Sequence, residues 1–456
     1  MFDYSNVAVE IWHLILFAVI DVPWVLDTML DTERDYWTNS RRYHDYEGIY
    51  LESERQRKEL GMVCRSWRQF AQRQKFRWIT YNPGPKDAPP EEKEVQEKEV
   101  HEAIAQCQSL SKDSNSDSER QEGDTISWPR RVLININDDE DMNVFRTMVD
   151  SNLLIKVTTL FIESSDSYDD EVFDYLIAQA AKAKVPKVAC LALRAPKSHH
   201  APLRAISAAF PHLITLTINN KALSNYYPRE NDRLILPDLE ILELDLSAFK
   251  PGTFQTWNLS GLIHLRTPIQ KRPDQDQSLK TYLEPIRGLG ANLIFLSMYK
   301  VDAAIVLPLE FWSWCPRLVE LVGFFSWIFF DTLAPADHPL KYVVHWPHYD
   351  AVDSGWAGGT TMALPVSESQ IRVPLVLHNL QTLPRNVEQV VVWRSWKDYL
   401  AVLGPRYNSE EQDGILHRMN EICVERGIRI VDQEKVTLGD YLVQSTVYIN
   451  LASSPL

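Results

Sequence analysis

The 456-residue chain has no Lys/Arg run of useful length, and its formal charge is −15. Binding to nucleic acid or to an anionic membrane needs a compensating basic patch, so the sequence points away from both partners. Cysteine is scarce as well. The five thiols, Cys64, Cys107, Cys190, Cys315 and Cys423, are scattered and never form a C-x-x-C pair. That usage fits reduced thiols in a cytosolic or nuclear protein and argues against a disulfide framework or a zinc site. The amino-terminal apolar stretch is interrupted by Glu10 and His13 and ended by Asp21, with Asp3 ahead of it. It is too short to span a bilayer and lacks both the basic start and the small-residue cleavage site of a signal peptide.

Chemistry-bearing motifs are missing too. There is no G-x-G-x-x-G, P-loop, H-E-x-x-H or G-x-S-x-G. His199-His200 and the pair His345 and His348, with only Asp350 nearby, read as loop or surface histidines rather than metal ligands. The turn Gly358-Gly359-Thr360-Thr361 lacks the strand and helix that a phosphate cradle needs. No catalytic residue, cofactor or metal is assigned, and a non-catalytic protein is expected.

What is present suffices for a large core: 45% of residues are hydrophobic and 11% aromatic. Length alone suggests about three domains. Residues 1–81 are helical in pattern. Residues 82–127 carry twelve acids against five bases, with a Pro-rich start and a Ser/Asp/Glu-rich end, and read as an acidic low-complexity linker. Its middle, Glu91–Leu110, lacks helix breakers and is compatible with a short charged helix. Residues 128–456 are apolar and repetitive.

The repetition is a segment of the form L-x-x-L-x-L. It begins at Val157, Val188, Leu213, Leu239, Leu262, Leu293, Leu318 and Leu340, with starts 22 to 31 residues apart. A ninth begins at Val387 after a gap of 47 residues, read as a loop insertion containing DSGWAGGTTMALP. Short strands whose alternate residues face a core cannot bury that face alone, so they are expected to stack. Between them lie helical patterns such as 170–184, where Val172, Phe173, Leu176, Ile177 and Ala180 share one side. The array resembles leucine-rich repeats, although the family's Asn after the strand survives only as Asn219. The expected fold is α/β: an all-α amino-terminal module followed by an irregular solenoid of parallel strands with outer helices.

At the amino terminus, Val7, Ile11, Leu14, Ile15 and Ala18 form one apolar stripe at helical spacing, and Val9, Trp12, Leu16, Phe17 and Ile20 fill much of the remainder. A helix apolar almost all round must be covered on several sides, by its own chain or by a partner. A second helix is predicted from near Ser53, where Ser53 and Gln56 have capping-box spacing. Leu60, Val63, Cys64, Trp67 and Ala71 then share one face, and Arg57, Lys58, Arg65 and Arg68 the other.

These two segments, VAVEIWHLILFAVI and ERQRKELGMVCRSWRQFAQ, resemble an F-box. Glu10 and Ile11 match the family's Glu-Ile, and Leu60, Val63, Cys64, Arg65 and Trp67 match its Leu-x-x-Val-Cys-(Arg/Lys)-x-Trp. Ala8 stands where the family has proline, and the connection Asp21–Arg55 is longer than usual, as in mushroom-type fungal F-box proteins. The resemblance implies a substrate-recognition subunit. The helices would dock on a Skp-type adaptor, which bridges to a cullin–RING ubiquitin ligase, while the repeats hold an unidentified protein substrate. It makes Val9, Ile11, Trp12, Ile15, Leu60, Val63 and Trp67 candidates for adaptor contact or module core.

The residue after the last inward position of each repeat gives a column: Glu163, Arg194, Asn219, Asp245, Pro268, Tyr299, Phe324, Trp346 and Trp393. The column turns from polar to aromatic, which makes Tyr299, Phe324, Trp346 and Trp393 candidates for the substrate surface. The competing reading of these four is core beneath the 347–386 loop. The competing reading of the whole chain is a repeat scaffold unrelated to ubiquitin transfer, with the amino-terminal helices as its cap.

Overall fold

The computed structural model describes residues 9–20, 46–83, 90–113, 128–164, 169–194, 203–219, 233–245, 253–268, 283, 286–299, 305–308, 310–323, 328–329, 335, 337–345, 373–383, 385–392, 395–397, 399, 409–432 and 434–444. Two compact units separate by their contacts: residues 1–201 with 208–216, and residues 202–207 with 217–456.

The first unit opens with three helices, α1 (Val9–Ile20), α2 (Tyr46–Val63) and α3 (Arg65–Arg73). It continues as β1 (Trp78–Tyr81), α4 (Pro90–Asp113), β2 (Arg131–Ile136), α5 (Asp139–Asp150), β3 (Thr159–Ser164), α6 (Asp169–Ala181) and β4 (Cys190–Arg194). Helix α7 (Leu203–Ala209) and strand β5 (Thr215–Asn219) fall where the division is drawn. The second unit contains β6 (Ile241–Leu244), β7 (His264–Pro268), β8 (Phe295–Tyr299), β9 (Ile305–Val306), α8 (Phe311–Trp314), β10 (Glu320–Gly323), β11 (Ile328–Phe329) and β12 (Tyr342–His345). It closes with α9 (Val373–Thr382), β13 (Gln389–Val392), α10 (Ser409–Glu425) and β14 (Arg429–Val431).

Strands β9 and β11 pair with each other; the other twelve described strands hydrogen-bond in the order in which the chain makes them. The chain is therefore mixed α/β with a parallel sheet, and its register is regular. Trp78 stands opposite Arg131, Arg131 opposite Thr159, and Thr159 opposite Cys190. In the second unit His264 stands opposite Phe295, Phe295 opposite Glu320, Glu320 opposite Tyr342 and Tyr342 opposite Gln389. Every segment of the nine-member repeat series has its strand two residues after its first apolar position: Val157 precedes β3 at Thr159, and Val387 precedes β13 at Gln389.

Strands β2–β5, β7, β8, β10, β12 and β13 begin with the same device. The carbonyl just before one strand accepts two consecutive N–H groups from the next. The Arg77 carbonyl accepts Arg130 (2.9 Å) and Arg131 (3.2 Å), and that of Arg130 accepts Thr158 (2.8 Å) and Thr159 (3.0 Å). In the second unit Ile263 serves Ile294 and Phe295, Ile294 serves Val319 and Glu320, and Val319 serves Lys341 and Tyr342. Both lone pairs of each carbonyl are thereby used where a buried backbone group would otherwise be costly.

The face made by the second strand position is apolar and buried throughout: Ile79, Val132, Leu160 and Leu191 in the first unit, Leu265 and Leu296 in the second. Each such side chain contributes roughly 1.5–3 kcal/mol by leaving water. Successive turns pack too closely for side chains at two glycines. A Cβ at Gly261 would lie 2.6 Å from the Pro237 carbonyl oxygen, and one at Gly290 2.5 Å from that of Trp314.

Two expectations are corrected. The middle of the acidic segment, expected to suit a short charged helix, is the 24-residue helix α4 over residues 90–113, but it is packed rather than solvated, with Val100, Ala103, Ile104 and Cys107 buried. Its polar anchors are specific. Gln96 exchanges two hydrogen bonds with the Asn82 backbone, and Lys93 sits 2.9–3.1 Å from Asp138, Glu140 and Asp141. The sheet also starts earlier than residue 128, at β1, which lies inside the span assigned to the helical module. The missed strands obey the repeat with other first residues, Phe76 before β1, Pro129 before β2 and Gly427 before β14. Helix 169–181 buries Val172, Phe173 and Leu176 as its pattern predicts. The 47-residue gap contains α9, while the DSGWAGGTTMALP segment lies outside the described residues.

Truncating Ile104 to Ala should cost about 2–5 kcal/mol in urea unfolding, where a solvated linker would give no change. A second test concerns Glu320, buried at the start of β10 with its carboxyl pushed up to about 8 by desolvation. Between the ordinary carboxylate range and that value the folded chain holds a proton that the unfolded chain has released. Its contribution to stability is therefore full in acid and is lost as pH rises to about 8. Glu320→Gln should remove that loss, so its melting temperature should exceed the parent's above neutrality and converge with it in acid.

Candidate docking surface

Helices α1, α2 and α3 enclose a small core of Leu16, Ile20 and Phe70, against which Phe17, Leu60 and Trp67 pack. The Trp12 and Trp67 rings meet with centroids 5.8 Å apart. Helix α1 is two-sided. The side carrying Trp12, Leu16 and Ile20 faces this core, while Ile11, Leu14, Ile15 and Val19 on the other side are 46–68% exposed. These four, with exposed Ala18 among them, recur at the i, i+3, i+4 spacing of a single helical stripe.

A second exposed apolar group follows from a break in the chain. Cys64 is extended (φ −156°, ψ 173°), so α2 ends at Val63 and α3 restarts at Arg65. One continuous helical face through Leu60, Val63, Cys64, Trp67 and Ala71 is therefore not formed. Leu60, Trp67 and Ala71 turn inward, Cys64 is exposed, and Met62 and Val63 stand out at 73% and 61% exposure. At this break the Cys64 sulfur lies 3.2 Å from the Ser66 hydroxyl. That hydrogen bond, with the backbone N–H groups of Trp67 and Ser66, lowers the thiol's pKa.

Beneath the surface a buried ionic group fixes the helices. Arg77 is wholly buried, and its guanidinium donates to the carbonyls of Ile20 and Gln74, to the Ser53 hydroxyl (3.0 Å) and to Glu54 (2.9 Å). Arg57 takes the other Glu54 oxygen (2.7 Å) and donates to the Ala71 carbonyl (2.8 Å). Ile20 and Ala71 lie at or near helix ends, where carbonyls need outside donors and a cation is favoured. Two sequence expectations change here. Helix α2 begins at Tyr46, so Ser53 lies inside it and donates to Ile20 rather than capping a start. Arg57, expected on the solvent face, is buried as a structural cation.

Of the residues carried over from the F-box resemblance, Ile11, Ile15 and Val63 lie on the exposed apolar surface, and Trp12, Leu60 and Trp67 pack within the module. Val9 begins α1; its side chain lies outside the described residues. Sequence reasoning did not carry Leu14, Val19 and Met62 onto the candidate surface. The signal was present for α1, which is apolar on more sides than one core can cover.

Of the four aromatic substrate candidates, Tyr299 ends β8 opposite Pro268, with its side chain outside the described residues. Phe324, Trp346 and Trp393 lie outside them altogether. The column itself is a register column wherever its pairs are recorded: Glu163 stands opposite Arg194, and Asn135 extends it towards the amino terminus. Among the described residues no group of His, Cys, Asp and Glu is arranged to hold a metal ion, and no helix is long and apolar enough to cross a membrane.

No family model matches the chain, and no curated protein matches it.

Substitutions separate the two kinds of apolar residue. Phe70→Ala should cost about 3–5 kcal/mol in urea unfolding. Val63→Ser should stay within about 0.5 kcal/mol of the parent, since no buried contact is lost.

Proposed function

We propose that the chain is the substrate-recognition subunit of a Skp–cullin–F-box type ubiquitin ligase. In this reading it is a cytoplasmic or nuclear adaptor without catalytic residues of its own. Helices α1–α3 are the F-box, docking on the Skp-type adaptor through Ile11, Leu14, Ile15 and Val19, with Met62 and Val63 as a second contact. The parallel array is an irregular leucine-rich-repeat solenoid, and the register columns of its units, Glu163 with Arg194 in the first and Pro268 with Tyr299 in the second, lie on the faces that hold a protein substrate.

The observation that carries the docking half is the uncovered apolar stripe of α1. Four large aliphatic side chains in one row, with no charged residue among them, are the usual signature of a helix face completed by a partner. The Glu-Ile and Val-Cys-Arg-x-Trp segments select which partner. For the array, support comes from strand order equal to chain order in the twelve-stranded sheet and from the two-onto-one hydrogen bond repeated at nine strand starts.

A second reading has one observation in its favour. The helices abut the first strand directly, as a solenoid cap does, since only Gln74–Arg77 separates α3 from β1. A cap, however, needs a polar outer side, and α1 presents an apolar one.

Adaptor capture by the full chain tests the choice. The parent should bind a purified Skp-type adaptor, and Ile15→Asp with Val63→Asp should weaken binding at least about 100-fold while leaving the melting temperature near the parent's. No binding by the parent overturns the reading and leaves the cap.

A further inference from the structure

The sequence suggested a docking module joined to the repeats by an acidic tether, and the structure has no tether at that place. Segment 82–127 follows the first strand instead of preceding it, and the module reaches the sheet through Arg77. This residue acts in both directions. Its side chain ties together the end of α1 at Ile20, the middle of α2 at Ser53 and Glu54, and the turn after α3 at Gln74. Its backbone carbonyl accepts the N–H groups of Arg130 and Arg131, the first bonds of the parallel ladder.

A stack of rings and cations runs alongside. Tyr50 of α2 lies 4.7 Å from the Trp78 ring of β1, and Arg131 of β2 is held 4.6 Å from Trp78 and 4.6 Å from Phe161 of β3. The chain thus passes from helix to sheet through closely packed rings and cations, with only Gln74–Arg77 between α3 and β1.

We infer that Arg77 is a positioning residue: it holds the apolar face of α1 in one orientation relative to strands β1–β3. This rests on the function proposed above, and it specifies how that function works. A partner carried by the sheet is presented at a fixed place relative to whatever α1 docks on. Its effective concentration at the ligase is then set by geometry rather than by the reach of a flexible linker. A planar guanidinium suits the task, because its fork of donors serves four acceptors at once, which an ammonium cannot do.

Pulsed-EPR distances on the full chain test the inference. In a Cys64→Ser background the other four cysteines are buried, so spin labels can be placed at exposed positions. One pair, Lys58→Cys and Asp174→Cys, spans module and sheet; a control pair, Glu102→Cys and Asp174→Cys, lies within the array. The parent should give one narrow distribution for each pair. Arg77→Met should broaden the spanning pair at least about twofold, leave the control pair unchanged, and leave affinity for the Skp-type adaptor within about threefold. Arg77→Lys should not restore the narrow distribution.

An unchanged spanning distribution in Arg77→Met overturns the inference. So does equal broadening of both pairs, which would mark general loosening. If Arg77→Met does not fold, Glu54→Gln supplies the same comparison: it keeps the shape, weakens one arm of the clamp, and should broaden only the spanning pair. Failure of the parent to bind adaptor, with the distances behaving as stated, removes the proposed function and leaves the clamp standing.

Discussion

The recurring constraint in this protein is that nine of the described strands donate two consecutive N–H groups to the one carbonyl that precedes the neighbouring strand. A parallel strand has no hairpin to bring it home, so its register depends on long-range contacts at its start. Here the start is fixed twice, by the shared carbonyl and by the apolar residue two positions before the strand. Once one strand is placed, the same geometry places the next, and the spacing of 22–31 residues between segment starts leaves room for one crossover. The pattern needs a first carbonyl, and Arg77 provides it.

That dependence explains why Arg77 can be buried. A guanidinium removed from water is costly unless its donors are met and its charge is paired. Two carbonyls, the Ser53 hydroxyl and the Glu54 carboxylate meet these needs, and Arg57 satisfies the second Glu54 oxygen. The arrangement joins three helices and a strand at one point. With the core side of α1 turned towards Leu16, Ile20 and Phe70, the Ile11–Val19 stripe faces outwards. The exposed apolar face is thus a consequence of packing: the module has one small core, and α1 carries more apolar surface than that core can cover.

Much of the array was legible from the spacing of apolar residues. All nine recognised segments became strands with one constant offset, because the inward positions of a stacked strand tolerate little besides Leu, Ile and Val. The strands at Trp78, Arg131 and Arg429 escaped because Phe76, Pro129 and Gly427 occupy the first position, where the chain turns in and chemistry is less restricted. Helix α4 was legible as a charged helix, but its packing was not. Its many charges lie on the exposed side, and Val100, Ala103, Ile104 and Cys107 are too few to dominate its composition, though they suffice to bury one face.

The sequence by itself determined the nine strands of the repeat series and the apolar surplus of α1, since these follow from residue type and local spacing. Only the tertiary structure decided which apolar residues were surplus. Val63 and Trp67 sit four residues apart and look alike in a helical pattern, yet extended Cys64 turns one outwards and leaves the other on the core. Likewise nothing local marks Arg77 as more than another basic residue. Its role arises where Ile20, Ser53, Glu54 and Arg130 converge on it from distant parts of the chain, and convergence of that kind has no signature in local spacing.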